Sequence, residues 1–142
     1  MNKAYLLLGG NLGDRSSNLE TAIRLIEQTC GNISGRSSVY ETAAWGKTDQ
    51  PDFYNQAVEL HTVLNAKQLV RRLLKVEKQM GRKRDEKFGP RVIDIDILFF
   101  NDEVYDYPFL KLPHPELQNR RFALTPLAEL TNLVHPLLKK SI

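Results

Sequence analysis

Residues 92–100 read Val-Ile-Asp-Ile-Asp-Ile-Leu-Phe-Phe, and this run constrains the fold more than any other segment. Branched and aromatic residues at this density favour a strand. Alternation puts Asp94 and Asp96 on one face, with Cβ atoms roughly 6–7 Å apart. Ile93, Ile95 and Ile97 take the other face. Leu98 and Phe100 are expected to continue the Asp face as apolar residues, so that face is not simply solvated. A half-buried strand with a polar face in water needs no function. Two like charges on a partly buried surface, however, repel, and they draw in a cation or keep a proton. Hard oxygen ligands at this spacing suit Mg²⁺. In two-metal phosphate chemistry the ions lie about 3.5–4 Å apart, a separation two such carboxylates can share. The strand alone leaves both readings open.

The remaining chain supplies a frame for it. Residues 4–8 read as a buried first strand ending at Gly9-Gly10. Ser17 to Glu20 fits a Ser-x-x-Glu capping box, and Leu19, Ala22, Ile23 and Ile26 follow at helical spacing. A second strand is expected within residues 33–41, a loop over 42–52, and a third strand over 55–63. Asn65 is a good N-cap for a helix with Leu69, Leu73, Val76 and Met80 on one face and Gly81 as its stop. A short strand near 103–105 is expected to pair back onto the Asp strand across Asn101-Asp102. Prolines at 108, 113, 115 and 126 break the rest into short pieces, with helical turns over 115–122 and 125–130. This order is α+β: a ferredoxin-like α/β sandwich, with a mostly antiparallel sheet and helices packed on it.

The chain has 142 residues, 42% hydrophobic and 26% charged, which fits one domain over 1–142. Its net charge of +3 suits an anionic small ligand but falls short of a nucleic-acid-binding signature. The single Cys30 follows an apolar pattern and reads as a core residue in a reducing cytoplasm. The N-terminal apolar run is too short for a signal peptide or a membrane span. Residues 81–91 carry five basic residues, four of them between Gly81 and Gly89, and lead straight into the Asp strand. A charge run is usually a solvated loop. Beside a Mg²⁺-binding carboxylate pair, however, it supplies what a triphosphate requires, because Arg grips phosphate oxygens in a two-pronged fork. Its glycine ends would let it move as a lid. No Walker-type motif and no protein-kinase motif is present.

The run Lys87-Phe88-Gly89-Pro90-Arg91-Val92-Ile93-Asp94-Ile95-Asp96-Ile97-Leu98 resembles the signature of the 6-hydroxymethyl-7,8-dihydropterin pyrophosphokinase family. These folate-pathway enzymes move a diphosphate group from ATP to a pterin alcohol and release AMP. Further similar segments are Leu8-Gly9-Gly10-Asn11-Leu12-Gly13, Tyr40-Glu41-Thr42, Gly46, the run from Asp49 to Ala57, Pro113-His114 and Asn119-Arg120-Arg121-Phe122. The resemblance implies that Asp94 and Asp96 bind two Mg²⁺ ions bridging the ATP phosphates. It implies that Arg82 and Arg91 contact the phosphates during transfer, and that Arg84 and Lys87 close over them. Ile97, His114 and Arg120 would hold the nucleotide. Phe53 and Phe122 would sandwich the pterin ring, with Asn55 bonding its edge and Thr42, Ala44, Trp45 and Asp94 adding contacts. The residue chemistry agrees: a flat bicycle wants aromatic faces, and its amide-like edge wants an Asn. His61 and His135 show no partner pattern and read as structural.

The sequence also departs from the family pattern. Gly10 stands where Ser is common, Ala43 where Pro is frequent, Phe88 where Trp is common and Pro115 where Tyr is frequent. Phe109-Leu110-Lys111 lacks the Arg and Thr of some members. The resemblance implies a cytoplasmic monomer with ATP and the pterin alcohol as its partners, without nucleic acid or membrane. No general base stands out. Nucleotidyl transfer is the alternative chemistry that an Asp-x-Asp strand allows. An RNA-binding module is disfavoured, because aspartates on the clearest strand repel phosphate.

Overall fold

The computed structural model describes residues 1–43, 50–81, 92–115 and 121–130, with Arg121 and Phe122 described by backbone alone. Strand β1 (Asn2–Gly10) lies in the middle of the main sheet, between β4 (Phe53–Thr62) and β5 (Asp94–Phe100), antiparallel to both. Beyond β4 lie β2 (Asn32–Arg36) and the short β3 (Tyr40–Thr42), also antiparallel to it. The order β2-β4-β1-β5 is that of two interlocked strand–helix–strand units, the ferredoxin-like arrangement expected. Helix α1 (Arg15–Thr29) follows β1, and α2 (Ala66–Gln79) follows β4.

Both helices cover the same face. Leu19, Ile23 and Ile26 of α1 and Leu69, Leu73 and Val76 of α2 bury themselves against Leu6, Leu8, Val58, Leu60, Ile95 and Ile97. Cys30 belongs to this core as expected, and burial pushes its thiol pKa up. Asn65 caps α2 with a reciprocal pair of bonds to Gln68. For α1 the expected Ser17–Glu20 box is replaced by an earlier cap. Asp14 accepts from the Ser17 amide at 3.0 Å, so the helix begins at Arg15 and Ser17 lies inside its first turn.

The second expected strand is in fact two short ones. Between them Ser37 leaves the ladder but replaces its bonds: its hydroxyl accepts the Ala57 N–H at 2.9 Å and its own N–H reaches Ala57 O at 2.8 Å. The expected hairpin across Asn101-Asp102 also differs. The turn is there, with Asn101 at φ 52 and Glu103 N–H bonding Phe100 O. Asn101, however, bonds Lys3 through both its N–H and its side-chain oxygen, which ties the turn to β1. The chain that follows forms a separate hairpin, β6 (Tyr105–Tyr107) with β7 (Leu110–Leu112). The expected turn over 125–130 falls partly in α3 (Arg121–Ala128), which carries Pro126 inside it. Most of the expected turn over 115–122 lies outside the described residues.

Helix α3 covers the opposite face of the sheet, where Ala123 and Leu127 meet Tyr5, Leu7, Leu98 and Phe99. Here the expected alternation of β5 fails. Tyr5 pairs with Phe99 but Leu6 pairs with Ile97, so Leu98 is the extra residue of a bulge. The bulge shifts the phase by one. Phe99, not Phe100, continues the Asp face, and Phe100 turns into the α1/α2 core. Just past α3, Glu129 accepts from the Tyr40 hydroxyl and from the N–H and hydroxyl of Ser38. These bonds moor the helix end to β3 and lower the Glu129 pKa.

Farther along the same face, Glu59 gathers Tyr5 Oη at 2.8 Å, Ser34 Oγ at 2.6 Å and His61 Nε2 at 3.0 Å. His61 is structural, as expected, while His135 lies outside the described residues. Burial opposes ionisation of Glu59, but the bonds from Ser34, His61 and Tyr5 and the charge of Lys3 outweigh it and hold the carboxyl at about 2. A carboxyl lowered on folding adds stability above its ordinary pKa, and that stability is lost as pH falls through the folded value. Glu59→Gln is therefore expected to destabilise the protein at neutral pH, with the gap to wild type closing between about pH 5 and about pH 2. Urea midpoints across that window check it, and parallel profiles would contradict it.

Candidate active site

The carboxylates stand where three strands end together. Asp94 on β5 is registered against Gly9 on β1, and Gly9 against Asn55 on β4. One row back, Asp96 faces Leu7. Because residues directly opposite share a face, Asp94, Asp96 and Asn55 all lie on the face away from α1 and α2, as does Phe53 by alternation. Both aspartates are half-buried.

Gly9 is the floor of this row. A Cβ there would lie 2.7 Å from Asn55 Oδ1, a separation real Cβ atoms do not tolerate. Its absence lets the Asn55 amide lie over β1, between Thr42 and Asp94. Asn55 is only 4% exposed, and its Nδ2 donates to Thr42 Oγ1 at 2.7 Å. Thr42 is in turn registered against the half-buried Phe53. The neighbouring chain is pinned by Asn11, buried at the end of β1, which donates to Gln50 Oε1 and Pro51 O. Arg15 adds bonds to Glu41 and Asp52 O and lies over the Tyr54 ring.

On the other side of the aspartates, β5 is the edge of the sheet among the described residues. In an antiparallel ladder the N–H and C=O of one residue point the same way, and the direction alternates. The Ile95 N–H points away from β1, because Glu77 Oε2 accepts it at 2.7 Å. The backbone groups of Ile97 therefore share that open side. A slot of about 300 Å³ lies there, lined by Val70, Leu73 and Leu74 of α2, by residues 108–112, and by Asp96, Ile97 and His114. His114 is held there by its N–H bond to Leu98 O.

Glu77 was not singled out in the sequence, although a signal exists. It sits four residues after Leu73, in line with the apolar stripe of α2, and it is 3% exposed. A charged residue on a buried stripe needs a partner, and here one partner is the amide between the two aspartates.

Thus Asp94, Asp96, Asn55, Thr42 and Phe53 come together on one face, with Ile97 and His114 around the adjoining slot. Arg82, Arg84, Lys87, Arg91, Arg120, Ala44, Trp45 and the Phe122 side chain lie outside what is described. Met80 caps α2 after Gln79, and Gly81 follows at φ 89, a conformation that favours glycine. Among the described residues no group of three or more His, Cys, Asp and Glu side chains forms a metal cage. The Asp94–Asp96 pair still fits a divalent cation that binds by oxygen: two carboxylates leave the remaining coordination to water and phosphate oxygens, the pattern typical of Mg²⁺ with a phosphate substrate.

Comparison with known proteins finds relatives along nearly the whole chain. The family model for 7,8-dihydro-6-hydroxymethylpterin-pyrophosphokinase matches residues 5–132. The chain is 43% identical to the 2-amino-4-hydroxy-6-hydroxymethyldihydropteridine pyrophosphokinase of Aquifex aeolicus, covering 100% of this chain and 89% of that protein. It is 42% identical to the Bacillus subtilis protein of the same name, covering 94% and 80%. Among solved structures, a crystal structure of HPPK-DHPS in complex with substrates superposes with a TM-score of 0.77 at 16% identity. That match covers 99% of this chain but 42% of the other, and it speaks for the fold alone. No described helix is long and apolar enough to cross a membrane. The chain belongs to the 7,8-dihydro-6-hydroxymethylpterin-pyrophosphokinase family.

Proposed function

We propose that this chain transfers the diphosphate of ATP to the hydroxymethyl group of 6-hydroxymethyl-7,8-dihydropterin, giving the pterin diphosphate and AMP in folate biosynthesis. The observation that carries the reading is the row Asp94–Gly9–Asn55 with a slot opening beside Asp96. An oxygen-rich metal site then stands between a polar ring-binding corner and a nucleotide-sized groove.

An ATP-utilising pyrophosphokinase works with a divalent metal. Asp94 and Asp96 would hold two Mg²⁺ ions, whose chemistry is to neutralise the phosphate oxygens during transfer. The pterin hydroxyl oxygen attacks the β-phosphorus of ATP, and its proton is released to water. The bond from that phosphorus to the oxygen of the α-phosphate breaks, and AMP leaves. Arg82 and Arg91 offset the developing charge, with Arg84 and Lys87 closing from the 81–91 segment. His114, Arg120 and the backbone of Ile97 hold the nucleotide. Phe53 and Phe122 stack on the pterin, Asn55 bonds its edge beside Thr42, and Ala44, Trp45 and Asp94 complete the pocket. Metal-bound carboxylates are poor bases, so Asp94 and Asp96 orient the hydroxyl rather than deprotonate it. The reading takes residues 1–142 as one domain, a monomer acting in the cytoplasm.

Incubation with ATP, Mg²⁺ and the pterin alcohol should yield AMP rather than ADP, and release of free pyrophosphate would contradict the reading. Asp94→Asn or Asp96→Asn should cut turnover by roughly two orders of magnitude or more while the circular dichroism spectrum is retained. Near-normal turnover would remove the metal assignment. Gly9→Ala, which displaces Asn55, should raise the KM for the pterin about tenfold and leave that for ATP unchanged. Glu77→Leu leaves the Ile95 amide without its acceptor. It should cost about 1–3 kcal/mol of stability by urea denaturation and lower kcat, with Glu77→Gln restoring much of both.

A further inference from the structure

Arg15 makes contacts that each lie one residue away from the pterin corner. Its Nη1 donates to Glu41 Oε2 at 3.1 Å and to Asp52 O at 2.8 Å. Its guanidinium carbon stands 3.9 Å from the centre of the Tyr54 ring. Glu41 precedes Thr42, Asp52 precedes Phe53 and Tyr54 precedes Asn55. Glu41 and Tyr54 are registered opposite each other, and Tyr54 packs toward the α1/α2 core. Successive strand residues point to opposite faces. Arg15 therefore grips β3 and β4 from behind, while Thr42, Phe53 and Asn55 look out from the other face.

The stability of α1 does not account for this residue. Arg15 is the first residue of the helix, directly after the Asp14 cap, where a cation opposes the helix dipole. The need lies in β3, which has only the residues Tyr40–Thr42. A strand this short has few ladder bonds to hold it. Its beginning has other anchors: Glu129 accepts from Ser38 and Tyr40, and Ser37 bonds Ala57. Its far end, which carries Thr42, is tied to α1 through Glu41 and Arg15. On the β4 side Asn11 takes Gln50 and Pro51, and Arg15 continues that hold at Asp52.

The Glu41 side chain is 52% exposed, and an ion pair so exposed adds little stability. What the guanidinium adds is direction. It is flat, so stacking on Tyr54 and bonding Glu41 and Asp52 O at once are met in one orientation.

We infer that Arg15 is a positioning residue for the pterin substrate. It sets the spacing between the Thr42 end of β3 and the start of β4, and through it the direction of the Asn55 amide and the setting of the Phe53 ring. The inference rests on the pterin reading above and adds to it a residue that acts from the opposite face of the sheet.

Steady-state kinetics with both substrates, alongside urea denaturation, test it. Arg15→Met should raise the KM for the pterin roughly five- to tenfold and lower kcat severalfold. The KM for ATP should stay within about twofold of wild type and the urea midpoint should barely move, the reverse of what a merely structural role gives. Arg15→Lys keeps the charge but not the planar stack and should fall between Arg15→Met and wild type. In a Thr42→Val background, Arg15→Met should add less than it does alone, because both act on the same corner. A pterin KM within twofold of wild type in folded Arg15→Met, parallel rises in both KM values, or full additivity with Thr42→Val overturns the inference. Should Arg15→Met not fold, Arg15→Lys carries the comparison, and a wild-type pterin KM there overturns it. A wild-type protein that does not turn over the pterin alcohol overturns the pterin reading itself, so the two failures are told apart.

Discussion

The close approach of Asn55 to the bare backbone of Gly9 is the constraint on which the site depends. β1 pairs with both β4 and β5, so whatever stands at the end of β1 separates the residues those strands contribute. A side chain at position 9 would occupy the space of Asn55 Oδ1 and push the amide off the row. With glycine there, a buried amide and a half-buried carboxylate share one short stretch of sheet, and Thr42 fixes the direction of the amide. The polar corner is set by backbone geometry before any ligand arrives, which lowers the ordering cost of binding.

The two faces of the sheet have different work. Under α1 and α2 lies a broad apolar core that holds the strands in register. Among the described residues, the other face is covered by α3, whose buried contacts are Ala123 and Leu127. The bulge at Leu98 reconciles the two. It lets Leu98 and Phe99 both feed the α3 side while Phe100 returns to the helix side. With regular alternation through Leu98, Phe99 and Phe100 would exchange faces.

The edge of β5, the outermost strand among the described residues, carries as much of the proposed chemistry as its faces. An unpaired edge is a row of unsatisfied donors and acceptors. Here Glu77 takes the Ile95 N–H and the His114 N–H meets Leu98 O, so both ends of the exposed stretch are fixed. Between them the edge opens into the slot. A strand that would otherwise invite aggregation is thereby turned toward a small ligand.

Local signals made the Asp pair, the Asn65 cap, the helical stripes of α1 and α2 and the ferredoxin-like order legible in the sequence. Each rests on spacing along a few residues, and a strand's period or a cap's reach is fixed by local geometry. The corner built from Thr42, Phe53, Asn55 and Asp94 was legible only through resemblance, because its members are far apart in the chain. Other features do not follow from local spacing alone. Asp14 took the cap expected of Ser17, β6 chose β7 instead of β5, Leu98 bulged, and Glu77 found the Ile95 amide. Each of these is a choice between partners of similar local quality, decided by which group the folded sheet brings within hydrogen-bond reach. Local spacing was enough for β1, α1, β4, α2, β5 and the two carboxylates. Only the tertiary structure decided which face each ring of β5 takes and what satisfies its edge, because register and edge pairing depend on contacts between residues distant in the chain.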